Sequence, residues 1–195
     1  MQVITKTIEA FSFDELSEQA QEKAWDHYMQ GFEFYYDSVV DDAKTIAELF
    51  GLDIDKIYFS GFWSQGSGAC FTGEYAYKKG ALNAVKDYAP NDTELHGIVA
   101  ALQAAQKPAF YKLRAECTTS RNNNLQVNLS HSDNDYFDVQ PYEDGIEQAL
   151  DDFAGWIYSN LEREYEYQTS KEVISDFFSD YEYLFDANGN VLDVE

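Results

Sequence analysis

Four consecutive polar residues, Ser130-His131-Ser132-Asp133, are of the types that nucleophilic catalysis uses. Serine can supply a hydroxyl nucleophile, histidine a general base, and aspartate the carboxylate that orients the base. A triad needs side chains that converge in space, whereas neighbouring side chains of a strand point to opposite faces. We therefore expect a polar strand end here and no catalytic residues, with an enzyme as the alternative.

A second candidate is a pair of carboxylates, Asp37 and Asp41, one helical turn apart. Two such groups could contact Mg²⁺ or Ca²⁺, but those ions need further oxygen ligands, so we expect a solvated acidic face instead. The three histidines and two cysteines do not have zinc-site spacing. The glycine cluster Gly66-Ser67-Gly68 lacks the following helix of a phosphate-binding loop. The sequence thus predicts no metal and no cofactor.

Net charge is the dominant feature of the composition, with 36 acidic and 13 basic residues giving −23. Residues 1–55 carry −10, residues 56–142 are neutral, and residues 143–195 carry −13. Such a field disfavours direct nucleic-acid or membrane binding and speeds association with a basic protein surface. Solubility alone is the alternative reading. The carboxylates that we expect to contact a basic partner are Asp37, Asp41, Asp42, Asp151, Asp152, Glu162 and Glu166.

In the stretch 56–77, two aromatic-rich runs flank the polar centre Ser64–Gly68. Their aromatic surface is too large to leave in water, so we expect other elements to pack on this stretch. Aromatic runs separated by a short glycine-containing gap predict a β-hairpin. Gly66 and Gly68 can adopt positive φ, so the chain can reverse there. We expect this hairpin to form the central pair of a sheet.

The rest of the chain alternates between helical and strand periodicities. An antiparallel meander with several helices, mainly on one face, is the architecture that this order favours, so the predicted class is α+β in one compact domain, residues 1–195, with 143–195 as its acidic helical part. The predicted strands are 3–8, 109–120, 125–129 and 136–139, besides the hairpin. In 109–120, apolar and polar residues alternate, which predicts a half-buried strand with Tyr111, Leu113, Ala115 and Cys117 on one side and Lys112, Arg114, Glu116 and Thr118 on the polar side. The predicted helices are 17–30, 34–50, 81–88, one that follows an Asn91 cap, 144–165, and one that opens at Thr169–Glu172; a small hairpin is predicted at Asn188-Gly189.

The cysteines and the N-terminal residues indicate the cellular compartment in which the protein is expected. Cys70 and Cys117 both fall in predicted strands, and buried reduced thiols are the expected state, with a disulfide as the alternative. The N-terminal residues lack a basic start followed by an apolar run, and no stretch has the roughly 20 apolar residues of a membrane helix. We expect a cytoplasmic protein.

Several motifs resemble a widespread family of phage and prophage proteins, some of which carry an antitoxin label. The most specific is the core Gly61-Phe62-Trp63-Ser64-Gln65-Gly66-Ser67-Gly68-Ala69-Cys70-Phe71, although the family usually has Asp at the position of Ser67. The others are Phe13–Ser17, Asp41-Asp42-Ala43 before Gly51, Ile157-Tyr158, Glu164–Tyr167, and Phe185 before Asn188-Gly189. The resemblance implies a phage origin and a setting in the host cytoplasm, and it supplies no catalytic residues.

Two functional hypotheses follow. The first is an acidic interaction protein that inhibits a host defence system, of the anti-CRISPR or anti-restriction type, by mimicking nucleic acid or by binding a basic surface of a defence nuclease. The second is a small enzyme or ligand-binding protein with its pocket at the Trp63–Phe71 hairpin, lined by Trp63, Gln65, Gly66 and Gly68. An antitoxin-like role is a further alternative.

Overall fold

The computed structural model describes residues 7–62, 64, 66–120 and 124–192. Its helices are α1 (Glu18–Gln30), α2 (Asp37–Phe50), α3 (Ala81–Tyr88), α4 (Thr93–Gln106), α5 (Gln140–Gln168) and α6 (Lys171–Asp180). Its strands are β1 (Leu52–Phe59), β2 (Ala69–Ala76), β3 (Leu113–Thr119) and β4 (Leu125–His131).

The four strands form one antiparallel sheet in the order β1-β2-β3-β4. Together with the helices, this meander confirms the predicted α+β class. The hairpin of β1 and β2 is also confirmed, but its predicted central position is wrong for β1. In the described sheet β1 is an edge strand, and the interior strands are β2 and β3. The polar residues of β1 suit an edge, where one side of the backbone has no neighbouring strand.

One face of the sheet is covered by aromatic packing from two helices. Phe153 of α5 packs edge-on against Phe50 of α2, with ring centroids 4.9 Å apart, and against Phe71 of β2 at 6.1 Å. All three rings are fully buried. Cys70 and Cys117 are buried and free, which confirms the predicted reduced thiols.

Several helix ends follow the expected capping chemistry. Ser17 caps α1 by accepting a hydrogen bond from the Ala20 N–H, and Gly51 ends α2 with a left-handed φ of +90°. Three predictions need correction. The helix predicted at 144–165 is longer and runs from Gln140 to Gln168. The helix predicted from residue 34 begins at Asp37, and Asp92 rather than Asn91 caps α4, because the Asp92 carboxylate accepts the Leu95 N–H at 2.9 Å.

Two predicted strands differ from the structure. Residues 136–139 form turn and irregular backbone, so the strand prediction there is wrong. Asn134 sets this turn, since its side-chain oxygen accepts the Tyr136 N–H and its carbonyl accepts the Phe137 N–H. Of the strand predicted at 3–8, residues 3–6 lie outside the described residues, and residues 7 and 8 are not in a strand.

The chain divides into two compact units: residues 36–162 form the larger, and residues 1–35 with 163–195 form the smaller. The larger unit contains the sheet. The core of the smaller unit is an aromatic cluster in which Phe178 contacts Phe13 and Phe185 with ring centroids 5.1 and 5.0 Å apart. The predicted turn at Asn188-Gly189 is confirmed there, with Gly189 at φ +80° and its would-be Cβ only 2.1 Å from the Ala20 carbonyl oxygen. The single-domain assignment stays a prediction.

Candidate functional site

Three carboxylates line up across the outer face of the sheet. Asp53 of β1 is the register partner of Glu74 of β2, and Glu74 is the partner of Glu116 of β3. Glu116 in turn faces Asn128 of β4. All four side chains are exposed. We call Asp53, Glu74 and Glu116 the acidic row. Strands lie about 4.8 Å apart, so the row presents three negative charges in a line roughly 10 Å long.

The acidic row is electrostatically unfavourable for the sheet. Like charges directly opposite each other on neighbouring strands destabilise the pairing. The nearby cations Lys56 and Arg114 occupy other rows, since Lys56 faces Thr72 and Arg114 faces Ala76 and Ser130. The row therefore has no basic register partner, and its charge is directed at solvent.

The carboxylates predicted from the sequence to contact a partner are mostly exposed, and they are distributed over α2 and α5. Asp37 and Asp41 lie one turn apart on the exposed side of α2, and Asp42 accepts a hydrogen bond from the Tyr88 hydroxyl at 2.6 Å. That hydrogen bond raises the pKa of Tyr88. Asp151 and Asp152 are exposed on α5, Glu162 is half-buried, and Glu166 is exposed in the smaller unit.

The hairpin tip is held by local polar contacts. The Ser60 hydroxyl accepts from the Gly68 N–H at 3.2 Å and donates to the Gly66 carbonyl at 3.3 Å. Gly66 has a φ of +86°, as predicted, whereas Gly68 does not adopt positive φ. Phe62 packs on Tyr158 of α5 at 5.6 Å. Trp63 and Gln65 lie outside the described residues, so the pocket predicted at this hairpin stays a prediction.

The polar segment that resembles a triad forms a local turn. The Ser132 hydroxyl donates to Asp133 at 3.1 Å, and Asp133 pairs with Lys112 at 3.0 Å. These contacts lower the pKa of the Asp133 carboxyl, first through its hydrogen bond with Lys112. The His131 ring accepts the Asp133 N–H through Nδ1 at 3.3 Å and stacks on Phe137. The histidine is thus engaged by a backbone donor rather than by a serine.

The smaller unit contains an aromatic groove, which we define by Tyr28, Phe32, Tyr35, Phe177 and Tyr183. Its volume is about 1110 Å³. The Tyr28 ring lies 5.1 Å from Phe177 and 6.1 Å from Phe32. Burial, with the nearby Tyr183 and Tyr35 hydroxyls, raises the pKa of Tyr28. Such ring faces suit planar or cationic groups.

Sequence reasoning missed both the acidic row and the aromatic groove. The alternation of Lys112, Arg114 and Glu116 placed Glu116 on a polar strand face, but the register of β1, β2 and β3 is not visible in any local pattern. The groove is formed by α1, the segment between Gly31 and Tyr35, α6, and Tyr183 after α6, and no sequence motif connects these segments.

The described part of the chain gives no sign of a metal site or of a membrane-spanning helix. Within residues 7–62, 64, 66–120 and 124–192, no three side chains of His, Cys, Asp or Glu gather as a metal site would require. In the same ranges, no helix combines the length and apolar character that crossing a membrane demands.

Comparison with known proteins gives a single family assignment. No curated protein and no solved structure matches the chain. Residues 35–171, which contain the whole of the larger unit with its sheet and acidic row, match a family described as a domain of unknown function, DUF8835. Because this match covers 137 of the 195 residues, the chain belongs to the DUF8835 family.

Proposed function

We propose that this protein is an acidic interaction protein whose sheet face binds a positively charged surface of a partner protein. The observation that carries the proposal is the acidic row, in which Asp53, Glu74 and Glu116 face one another in register and all point to solvent. Facing like charges cost stability, and a basic partner would convert that repulsion into attraction.

Charge elsewhere in the chain favours the same class of partner. The larger unit has 20 acidic and 9 basic residues, and the smaller unit has 16 and 4, so each unit is strongly anionic by itself. A field of this sign accelerates encounter with a basic surface and repels free nucleic acid. The exposed carboxylates Asp37, Asp41, Asp151 and Asp152 of the larger unit contribute to this field.

We propose further that the partner is a host defence nuclease and that the protein occupies its nucleic-acid groove. Carboxylates at regular spacing can substitute for phosphates against lysine and arginine side chains. The resemblance of the segment 61–71 to phage and prophage proteins favours this class of partner and a host cytoplasmic setting. Binding to the groove would block access of nucleic acid without any catalytic step.

A cleavage assay tests the nuclease proposal. A purified RNA-guided nuclease and a purified restriction endonuclease are each given labelled duplex DNA, with and without this protein, at low salt. We expect wild-type protein at micromolar concentration to slow cleavage by at least one of them. The triple variant Asp53→Asn, Glu74→Gln, Glu116→Gln should inhibit that nuclease about tenfold less well, because charge pairs at an interface supply much of its attraction.

The matched control removes three dispersed acids, Asp87→Asn, Asp135→Asn and Glu147→Gln, which are exposed and lie outside the row. It has the same net charge as the triple variant. Full inhibition by this control, together with loss in the triple variant, supports docking through the row. Equal inhibition by both variants would contradict it, and unimpeded cleavage by both nucleases with wild-type protein would reject the nuclease as partner.

A further inference from the structure

Strand β4 is an edge of the described sheet that lacks the usual protection against pairing. Natural edge strands carry charged residues, proline or a bulge, which discourage a further strand from adding to them. The opposite edge has these features: β1 contains Asp53, Asp55 and Lys56, with a register shift between Ile54 and Lys56. The sequence of β4, Leu-Gln-Val-Asn-Leu-Ser-His, contains no Asp, Glu, Lys, Arg or proline, and its pairing with β3 is regular.

The apolar side of β4 is also incompletely covered. In β3, the neighbouring inward residues Ala115 and Cys117 are 3% and 2% exposed. Their register partners in β4, Leu129 and Val127, are only half-buried. Apolar surface therefore remains open next to backbone that has no strand beyond it in the described sheet.

Hydrogen bonds at the two ends of β4 show which of its residues direct their backbone N–H and C=O groups at β3. The Asn124 carbonyl accepts the Ser120 N–H, and the Ser132 N–H donates to the Lys112 carbonyl, so even-numbered residues direct their backbone groups at β3. Because these groups alternate along a strand, Val127 and Leu129 direct theirs outward. They are the residues that could pair with a further strand.

We propose that β4 pairs antiparallel with β4 of a second copy of this chain, about a twofold axis at Asn128. This register brings Val127 opposite Leu129 of the second copy as hydrogen-bonded pairs, and Asn128 opposite its counterpart as a non-hydrogen-bonded pair. Apolar residues then meet apolar residues, and Gln126 meets Ser130. The same pairing joins the two four-stranded sheets into one sheet of eight strands.

A second copy suits this edge better than a basic partner does. The strand carries no carboxylate that a basic partner could recognise, and two chains of net charge −23 repel each other less at a neutral edge than at an acidic surface. Asp133, which lies just after the C-terminal end of the strand, is already paired with Lys112. Salt should therefore strengthen the dimer, because it screens the remaining repulsion between copies.

The dimer also extends the docking face, a consequence that rests on the proposed function. Asn128 continues the acidic row, and its counterpart leads into the row of the second copy, giving six carboxylates across eight strands. At about 4.8 Å per strand, this line spans roughly 34 Å. That is about one helical turn of duplex DNA.

Two substitutions at Asn128 test the dimer without relying on any partner. Asn128→Cys places two thiols across the axis, where Cα atoms of a non-hydrogen-bonded pair lie about 4.5 Å apart, within the range of a disulfide. We expect a covalent dimer under oxidised glutathione, and none from the exposed control Asn83→Cys. In Asn128→Lys, the introduced side chain faces Glu116 of its own chain, which is favourable, but it opposes the same positive charge across the twofold axis. This variant should therefore keep its thermal stability and become monomeric.

Sedimentation velocity at about 50 and about 500 mM NaCl completes the test, since screening grows over this range. The wild type should shift towards dimer at the higher salt, and Asn128→Lys should remain a monomer with unchanged melting. A wild type that stays monomeric at both salts would overturn the proposal. So would a dimer that survives Asn128→Lys while the Asn128→Cys variant fails to cross-link. A dimer that fails to inhibit any nuclease would leave this inference standing and reject only the partner.

Discussion

Neutralising the acidic row is expected to make the protein more stable and less able to bind. In the triple variant Asp53→Asn, Glu74→Gln, Glu116→Gln, two like-charge pairs across neighbouring strands disappear. Each such pair destabilises a sheet by roughly 0.2–1 kcal/mol, so we expect the free energy of unfolding to rise by about 1 kcal/mol. Affinity for a fluorescent nona-arginine peptide should fall about tenfold, which corresponds to about 1.4 kcal/mol.

A rise in the free energy of unfolding together with a fall in affinity distinguishes a binding role of the row from a structural one. Urea unfolding reports stability, and fluorescence anisotropy reports affinity, with Asp87→Asn, Asp135→Asn, Glu147→Gln as the control of equal charge. The control should lose far less affinity and gain little stability, because its three sites are dispersed over the surface. A triple variant that binds as tightly as the wild type would mean that the row is not the docking site. A triple variant that is less stable than the wild type would mean that the facing carboxylates do not destabilise the sheet.

Replacing Gln106, whose side chain holds the start of β3, is expected to cause a large loss of stability. Gln106 is fully buried; its Nε2 donates to the Leu113 carbonyl at 2.8 Å, and its Oε1 accepts the Leu113 N–H at 3.1 Å. Gln106→Leu leaves both backbone groups buried without partners. Each costs about 1–3 kcal/mol, so we expect a loss of about 2–6 kcal/mol in the free energy of unfolding.

The exposed residue Gln103 of the same helix provides the control, and Gln103→Leu should change stability by less than about 0.5 kcal/mol. Both variants are measured by urea unfolding. Since β3 carries Glu116, loosening the start of this strand should also disturb the acidic row and weaken nona-arginine binding. Near-wild-type stability of Gln106→Leu would show that the amide does not anchor the strand.

Local chemistry explains why much of the fold could be predicted. Ser17 and Gly51 mark helix ends because a hydroxyl can satisfy a free N–H and a glycine can adopt positive φ. The alternation of Leu113, Ala115 and Cys117 correctly identified the buried face of β3. Such signals lie within a few residues of each other, so the sequence displays them directly.

Predictions were wrong where neighbouring residues offered equivalent chemistry. Asn91 and Asp92 are both good caps, and the choice of Asp92 is tied to tertiary structure, since its second carboxylate oxygen accepts the Trp156 indole N–H at 2.8 Å. Residues 136–139 have strand-like composition, yet the Asn134 turn prevents pairing.

The candidate site was less predictable than the fold because it depends on register. Asp53, Glu74 and Glu116 are separated by 20 and 41 residues of intervening chain, and the second interval contains two helices. Their alignment depends on how the strands slide past one another, including the shift after Ile54. Glu74 and Glu116 fall within predicted strands, but Asp53 lies before the predicted hairpin of residues 56–77, so the alignment of the three was not visible.

The central claim is that the sheet face binds positive charge, and the salt dependence of binding tests it most directly. Affinity of the wild type for nona-arginine is measured by anisotropy between about 50 and about 500 mM NaCl, over which the screening length falls to a few ångströms. We predict at least a tenfold loss of affinity across this range, with a shallower loss in the triple variant. Affinity that does not change with salt, or an identical slope in the two proteins, would contradict the account.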